Sequence, residues 1–165
     1  MTDDRKQPSS PACLSHEADD AYMGFATRDE IAAFLNELLE AERAGTGVAL
    51  KSAQAASTTP YFGLLQDIQH DEARWCAMLL KQLKILGAPA STQIGAFEGK
   101  AMAIDKLEER LAFLNRGQGW VVRKLKEMLP KVRDDALHRD LSDMLRSHEI
   151  NIERAAAALR TSSGG

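Results

Sequence analysis

Three glutamates stand where a helical chain seldom tolerates them. Glu42, Glu72 and Glu149 lie on or beside faces that are otherwise apolar, and a carboxylate inside a core is costly unless it is paired, protonated or bound to a cation. Carboxylates from three separate segments at similar depth point to a cation that meets them. Hard or borderline ions such as Fe, Mn or Zn suit carboxylate and imidazole ligands. His148 continues the apolar stripe of its own segment and is a candidate ligand beside Glu149. Adjacent residues of a helix point about 100° apart, so these two reach one ion awkwardly; a histidine bonded to a core acid is the competing reading. For the three acids, the competing reading is a structural ion network with Arg43, Arg74, Arg116 or His148.

The elements that must position these groups are all helical. Thr27-Arg28-Asp29-Glu30 has the form of a capping box. From it Ile31, Phe34, Leu38, Glu42, Gly45, Ala49 and Ala53 recur at three- and four-residue steps, one helical face running to about residue 57. Thr59-Pro60 predicts an N-cap followed by proline at the first helical position. A second face carries Leu65, Ile68, Glu72, Trp75, Leu79, Leu83 and Leu86, closed by Gly87 as a C-cap. A third carries Ile104, Leu107, Leu111, Leu114, Gln118, Val122, Leu125 and Leu129. Pro130 interrupts it, and a fourth follows through Leu137, Leu141, Leu145, His148, Ile152, Ala155 and Leu159. Nothing reads as a strand.

Short links join helices one and two, and three and four, so each pair is expected to be an antiparallel hairpin. The only long internal break, Gly87 to about Gly99, can reach roughly 40 Å when extended, close to the length of a long helix. It can therefore travel the length of a bundle and set helix three parallel to helix two; a loosely coiled end loop is the alternative.

The two hairpins resemble each other weakly. Leu38-Leu39-Glu40-Ala41-Glu42-Arg43 can be laid over Leu111-Ala112-Phe113-Leu114-Asn115-Arg116, which sets Glu42 on Asn115. Ile68 to Trp75 likewise lies over Leu145 to Ile152, which sets Glu72 on Glu149. Asn115 thus joins the candidate ligands. Glu108 or Glu109 would replace it in a register two turns away.

Leu39-Glu40-Ala41-Glu42-Arg43-Ala44, with Asp71-Glu72-Ala73-Arg74-Trp75 and Leu79 beyond it, resembles the ferritin and rubrerythrin superfamily over roughly residues 27 to 160. The resemblance implies a ferritin-like four-helix bundle of two antiparallel hairpins joined by a long crossover. It also implies a di-metal site with one Glu from each of helices one and three and a Glu-x-x-His from each of helices two and four. Carried over, Glu42, Glu72 and Glu149 match ligand positions. Trp75 and Ile152 stand where histidines belong, and Asn115 stands at the helix-three position. The implied site is degenerate, without an intact di-iron centre.

The remaining chemistry-bearing residues have plainer readings. Trp75 and Trp120 are expected to fill core or interface, Cys76 to be a small buried hydrophobe, and His70 to lie on the surface. Cys13 and His16 fall in residues 1–26, which are rich in Asp, Ser, Pro and Ala and predict a disordered tail; residues 161–165 predict a flexible C-terminal tail.

The chain has 165 residues, room for one domain with a substantial core. A net charge of −3 leaves no basic footprint for nucleic acid or an anionic membrane, and no apolar run is long enough to span a bilayer. The polar start and the two dissimilar cysteines make a cytoplasmic place the expectation. No nucleophile triad, phosphate loop or dinucleotide fingerprint is present. Two functions are expected: a binding or structural protein, a homodimer as the family resemblance implies, or a metal protein using Glu42, Glu72, Glu149, His148 and Asn115. Its metal would be Fe or Mn, if any, and its chemistry, by resemblance, that of a metal-dependent oxidoreductase or ferroxidase. The small-molecule substrate is left open.

Overall fold

The computed structural model describes residues 20–163. Among these residues every regular element is helical and no strand occurs. The first long helix, α1 (Arg28–Ala55), opens on the capping box: Thr27 Oγ1 accepts from the Glu30 amide at 3.2 Å, and the Thr27 amide donates to Glu30 Oε2 at 2.7 Å. Next comes α2 (Phe62–Leu86), which ends on Gly87 in the left-handed conformation, φ 67°. Its start departs from expectation. Pro60 lies in the reversal between the helices, where Thr59 accepts from the Tyr61 amide at 3.3 Å and donates to the Ala56 carbonyl at 2.9 Å.

The third helix expected from periodicity is two helices. A short α3 (Phe97–Met102) is separated from α4 (Leu107–Met128) by a break at Ile104, whose carbonyl accepts from Arg110 Nε and Nη2 at 3.0 and 2.7 Å. The break turns α3 so that it packs against both α1 and α4. Pro130 sits in a 3-10 turn (Leu129–Lys131), and α5 (Asp135–Ser163) begins after Asp134, whose carboxylate accepts from the Leu137 amide at 2.7 Å. α5 continues three residues past the boundary expected at 160.

Residues 20–26 also correct the sequence expectation of a tail. The Ala26 amide donates to the Lys131 carbonyl at 2.9 Å, Asp20 pairs with Arg133, and Arg133 covers the Phe25 ring. Cys13 and His16 lie outside the described residues.

The apolar side chains form two clusters. One gathers Ile31 to Leu39 of α1, Trp75 to Leu83 of α2, Val121 and Leu125 of α4, and Leu137 to Met144 of α5. The other gathers Val48 to Ala53 of α1, Leu64 to Ile68 of α2, Leu111 and Leu114 of α4, and Ala155 of α5. The start of α1 and the end of α2 thus share one cluster, and their other ends share the second. Each fully buried leucine or isoleucine contributes about 1.5–3 kcal/mol, and twelve large side chains are fully buried.

The chain leaves α2 at the first cluster and enters α4 at the second, so residues 87–106 travel from one to the other. Their first half is fastened to α1: Asn36 Nδ2 donates to the Pro89 carbonyl at 3.0 Å, Asn36 Oδ1 accepts from the Ser91 amide at 2.7 Å, Ser91 Oγ donates to Glu40 at 2.5 Å, and Arg43 reaches the Ser91 carbonyl. Further on, Phe97 stacks on Phe113 with ring centroids 4.9 Å apart and lies over Gly117, where a Cβ would come within 2.6 Å of the ring. Among the described residues no helix is long and apolar enough to cross a membrane.

Candidate functional site

Between the two apolar clusters, each long helix brings a buried polar residue to one level: Glu42 from α1, Glu72 from α2, Gln118 from α4 and His148 from α5. Their residual exposures are 2%, 4%, 3% and 2%, so water in bulk solvates none of them. All four line one cavity of about 480 Å³. Its upper wall is apolar, built from Phe97, Phe113, Leu114, Trp120 and Val121, and Glu37, Glu40 and Arg116 also line it.

His148 is held at both nitrogens. Nδ1 lies 3.0 Å from the Met144 carbonyl and Nε2 lies 3.1 Å from Glu42 Oε1. A carbonyl only accepts, so Nδ1 carries a hydrogen, and a second proton must lie between Nε2 and Oε1. Burial works against the imidazolium, but the Glu42 charge, the hydrogen bond to it and the Met144 carbonyl outweigh burial and raise the His148 pKa. Glu72 has no such partner. Burial pushes its pKa well up, and the charges of Glu42 and Asp71 add to the effect. Its carboxyl rests against the backbone of Gly45, where a Cβ would come within 2.7 Å of the carboxyl carbon. Four buried atoms of this layer have no hydrogen-bond partner in the protein: Glu42 Oε2, Glu72 Oε2, Gln118 Oε1 and Gln118 Nε2. Orphaned atoms of this kind are rare in native cores and call for a partner from outside the chain, whether ordered water or a bound group.

Sequence reasoning singled out five residues, and the structure brings three together. Glu42, Glu72 and His148 share the cavity. Glu149 turns away from it and pairs with Lys126 at 2.7 Å, about half exposed, because it stands one position, or about 100°, from the stripe that buries His148. Asn115 lies outside the cavity; its Nδ2 donates to the Ile152 carbonyl at 3.2 Å and ties α4 to α5. Gln118 was passed over as a ligand although it stood on the apolar face of the third helix, and that period was the signal that could have found it.

The arginines expected to neutralise the acids do other work. Arg43 holds the Ser91 carbonyl, Arg74 covers Trp75 at 4.2 Å and Arg116 stands over Phe113 at 5.3 Å. Trp75 is core, its Nε1 donating to Ser147 Oγ at 3.2 Å. Cys76 is half-buried, and burial together with Glu42 pushes its thiol up to about 11, which leaves it a poor nucleophile. His70 is exposed.

The donor set does not fit two metal ions: Trp75 replaces one imidazole, and Ile152 offers no ligand atom. Among the described residues, no three His, Cys, Asp or Glu side chains are gathered tightly enough to form a ready-made metal cage. Two carboxylates, an imidazole and an amide around one cavity do match the donor chemistry of a single divalent ion.

A family model described as "Domain of unknown function (DUF6306)" matches residues 29–158. The chain belongs to that family. The DUF6306 match runs from the first turn of α1 to near the end of α5 and so contains all four residues of the polar layer. Searches of the curated proteins and of the solved structures find no match to the chain.

Proposed function

We propose that this chain is a ferritin-like bundle that works as a binding protein, with room for one cation in its core and without a two-metal centre. Several features support the ferritin-like reading. The two apolar clusters pair the helix ends as two antiparallel hairpins would, and residues 87–106 link them as a long crossover would. Glu42, Glu72, Gln118 and His148 give one inward polar residue from each of the four long helices, which supports a core of the kind that draws its ligands from all four. The observation that carries the binding reading is the set of buried, partnerless oxygens of Glu42, Glu72 and Gln118 on one cavity.

A second reading is favoured by His148. Its Nδ1–H is donated to a backbone carbonyl, the usual arrangement behind a metal-ligating histidine. Glu42, Glu72, His148 and Gln118 would then hold one Fe or Mn, which would supply one-electron redox chemistry and make the protein a metal-dependent oxidoreductase of ferritin-like type.

Anaerobic loading with Fe(II) or Mn(II) followed by elemental analysis separates the two. Metal near background is expected under the first reading. One ion per chain, lost in Glu72→Gln, would establish the second, whereas two ions per chain with oxygen consumption would overturn the first outright. The resemblance also supports a homodimer, which light scattering during gel filtration reads directly.

A further inference from the structure

The charge and hydrogen-bonding inventory of the polar layer says more about the guest than that it is cationic. Two carboxylates face one imidazole; with the proton between Glu42 and His148 counted, the layer is neutral while Glu72 holds its proton and carries a net charge of −1 once Glu72 releases that proton to solvent in favour of a cation. A monovalent cation neutralises it; a divalent ion overshoots unless His148 gives up a proton. Three of the residues that line the cavity carry a partnerless acceptor oxygen, Glu42 Oε2, Glu72 Oε2 and Gln118 Oε1, and a primary ammonium carries three N–H donors. A charged head needs such partners when water is excluded. An inorganic monovalent cation would leave most of the cavity unused, since about 480 Å³ is the size of a small-molecule site and the wall above the polar layer is apolar and aromatic. Glu37 and Glu40, set against the single charge of Arg116, also line the cavity and favour a cation.

We propose that the cavity binds a primary amine with an apolar body, its ammonium against the Glu42, Glu72 and Gln118 oxygens and its body between Phe97, Phe113, Trp120 and Val121. The proposal rests on the reading of the core as a one-cation site and names the chemical class of that cation. No bond is made or broken.

Calorimetric titration of the full-length protein, stripped of metal with a chelator, tests it. Hexylamine is the probe, with hexanol, hexanoate and Mn(II) alone as comparators. Hexylamine is expected to bind, hexanol roughly tenfold or more weakly, and hexanoate not at all. Glu72→Gln, isosteric and neutral, is expected to weaken hexylamine by a similar factor while melting no lower than the parent, which separates loss of binding from loss of fold. Hexanol binding as tightly as hexylamine, or hexylamine binding unchanged by Glu72→Gln, would overturn the proposal. Mn(II) binding without hexylamine binding would overturn it and leave the one-cation reading standing; binding of neither would remove both.

Discussion

A carboxyl group shut away from water and left without a partner keeps its proton, and Glu72 is such a group. Its raised pKa means that the folded protein holds a proton which the unfolded chain releases above about 4.5. The stability this gives is therefore complete below that value and is lost as pH climbs through the folded pKa. His148, raised above its ordinary 6.5, has the same sign and begins to act about two units higher. Without a bound cation, the melting temperature should fall as pH rises from about 5 to 9. In Glu72→Gln the fall should flatten, with a gain of about 1–3 kcal/mol at the alkaline end; melts across that range would read both. A parent that grows more stable with pH would contradict the assignment. The period of three and four residues exposed Glu42 and Glu72 in the sequence, because a polar residue interrupts an otherwise apolar stripe. It also held Gln118 and His148. The low-identity repeat pointed instead to Asn115 and Glu149, since alignment by likeness ignores which way a side chain turns.

Helices were legible because burying one face leaves a periodic trace, and their caps because Thr27, Gly87 and Pro130 have few other uses. The link at residues 87–106 was legible only in its length. What fastens it is a set of side-chain bonds from Asn36, Glu40 and Arg43 to residues 89–93, several of them to backbone atoms, which every residue possesses and no pattern records. The same holds for residues 20–26, secured in part by one amide on the Lys131 carbonyl. Asn36 both donates to and accepts from that link, so Asn36→Ala should lower stability by about 1–2 kcal/mol. Hydrogen exchange should speed up at residues 89–95 well before it does in α1; uniform acceleration along the chain would mean that the contacts are not local in their effect.

At the scale of the molecule, two dry clusters are separated by one polar storey, and that storey adds little to stability. Replacing Glu42, Glu72, Gln118 and His148 together with leucine or methionine should raise the melting temperature, because four desolvated polar groups give way to packed apolar ones. Yet the two clusters alone are poor rulers. Leucines and alanines meet one another about as well after a helix slides by one turn, roughly 5.4 Å, as before it. The polar storey cannot slide, since a shift of one turn carries Glu72 to the level that Ile68 now fills, or His148 to the level that Met144 now fills, among the apolar side chains of the facing helices. The quadruple variant should therefore be the more stable protein and the less singular one, with broadened, doubled amide resonances where the parent gives a single set. The residues that make a berth for a guest would then also serve as the graduation marks by which four helices find their common level.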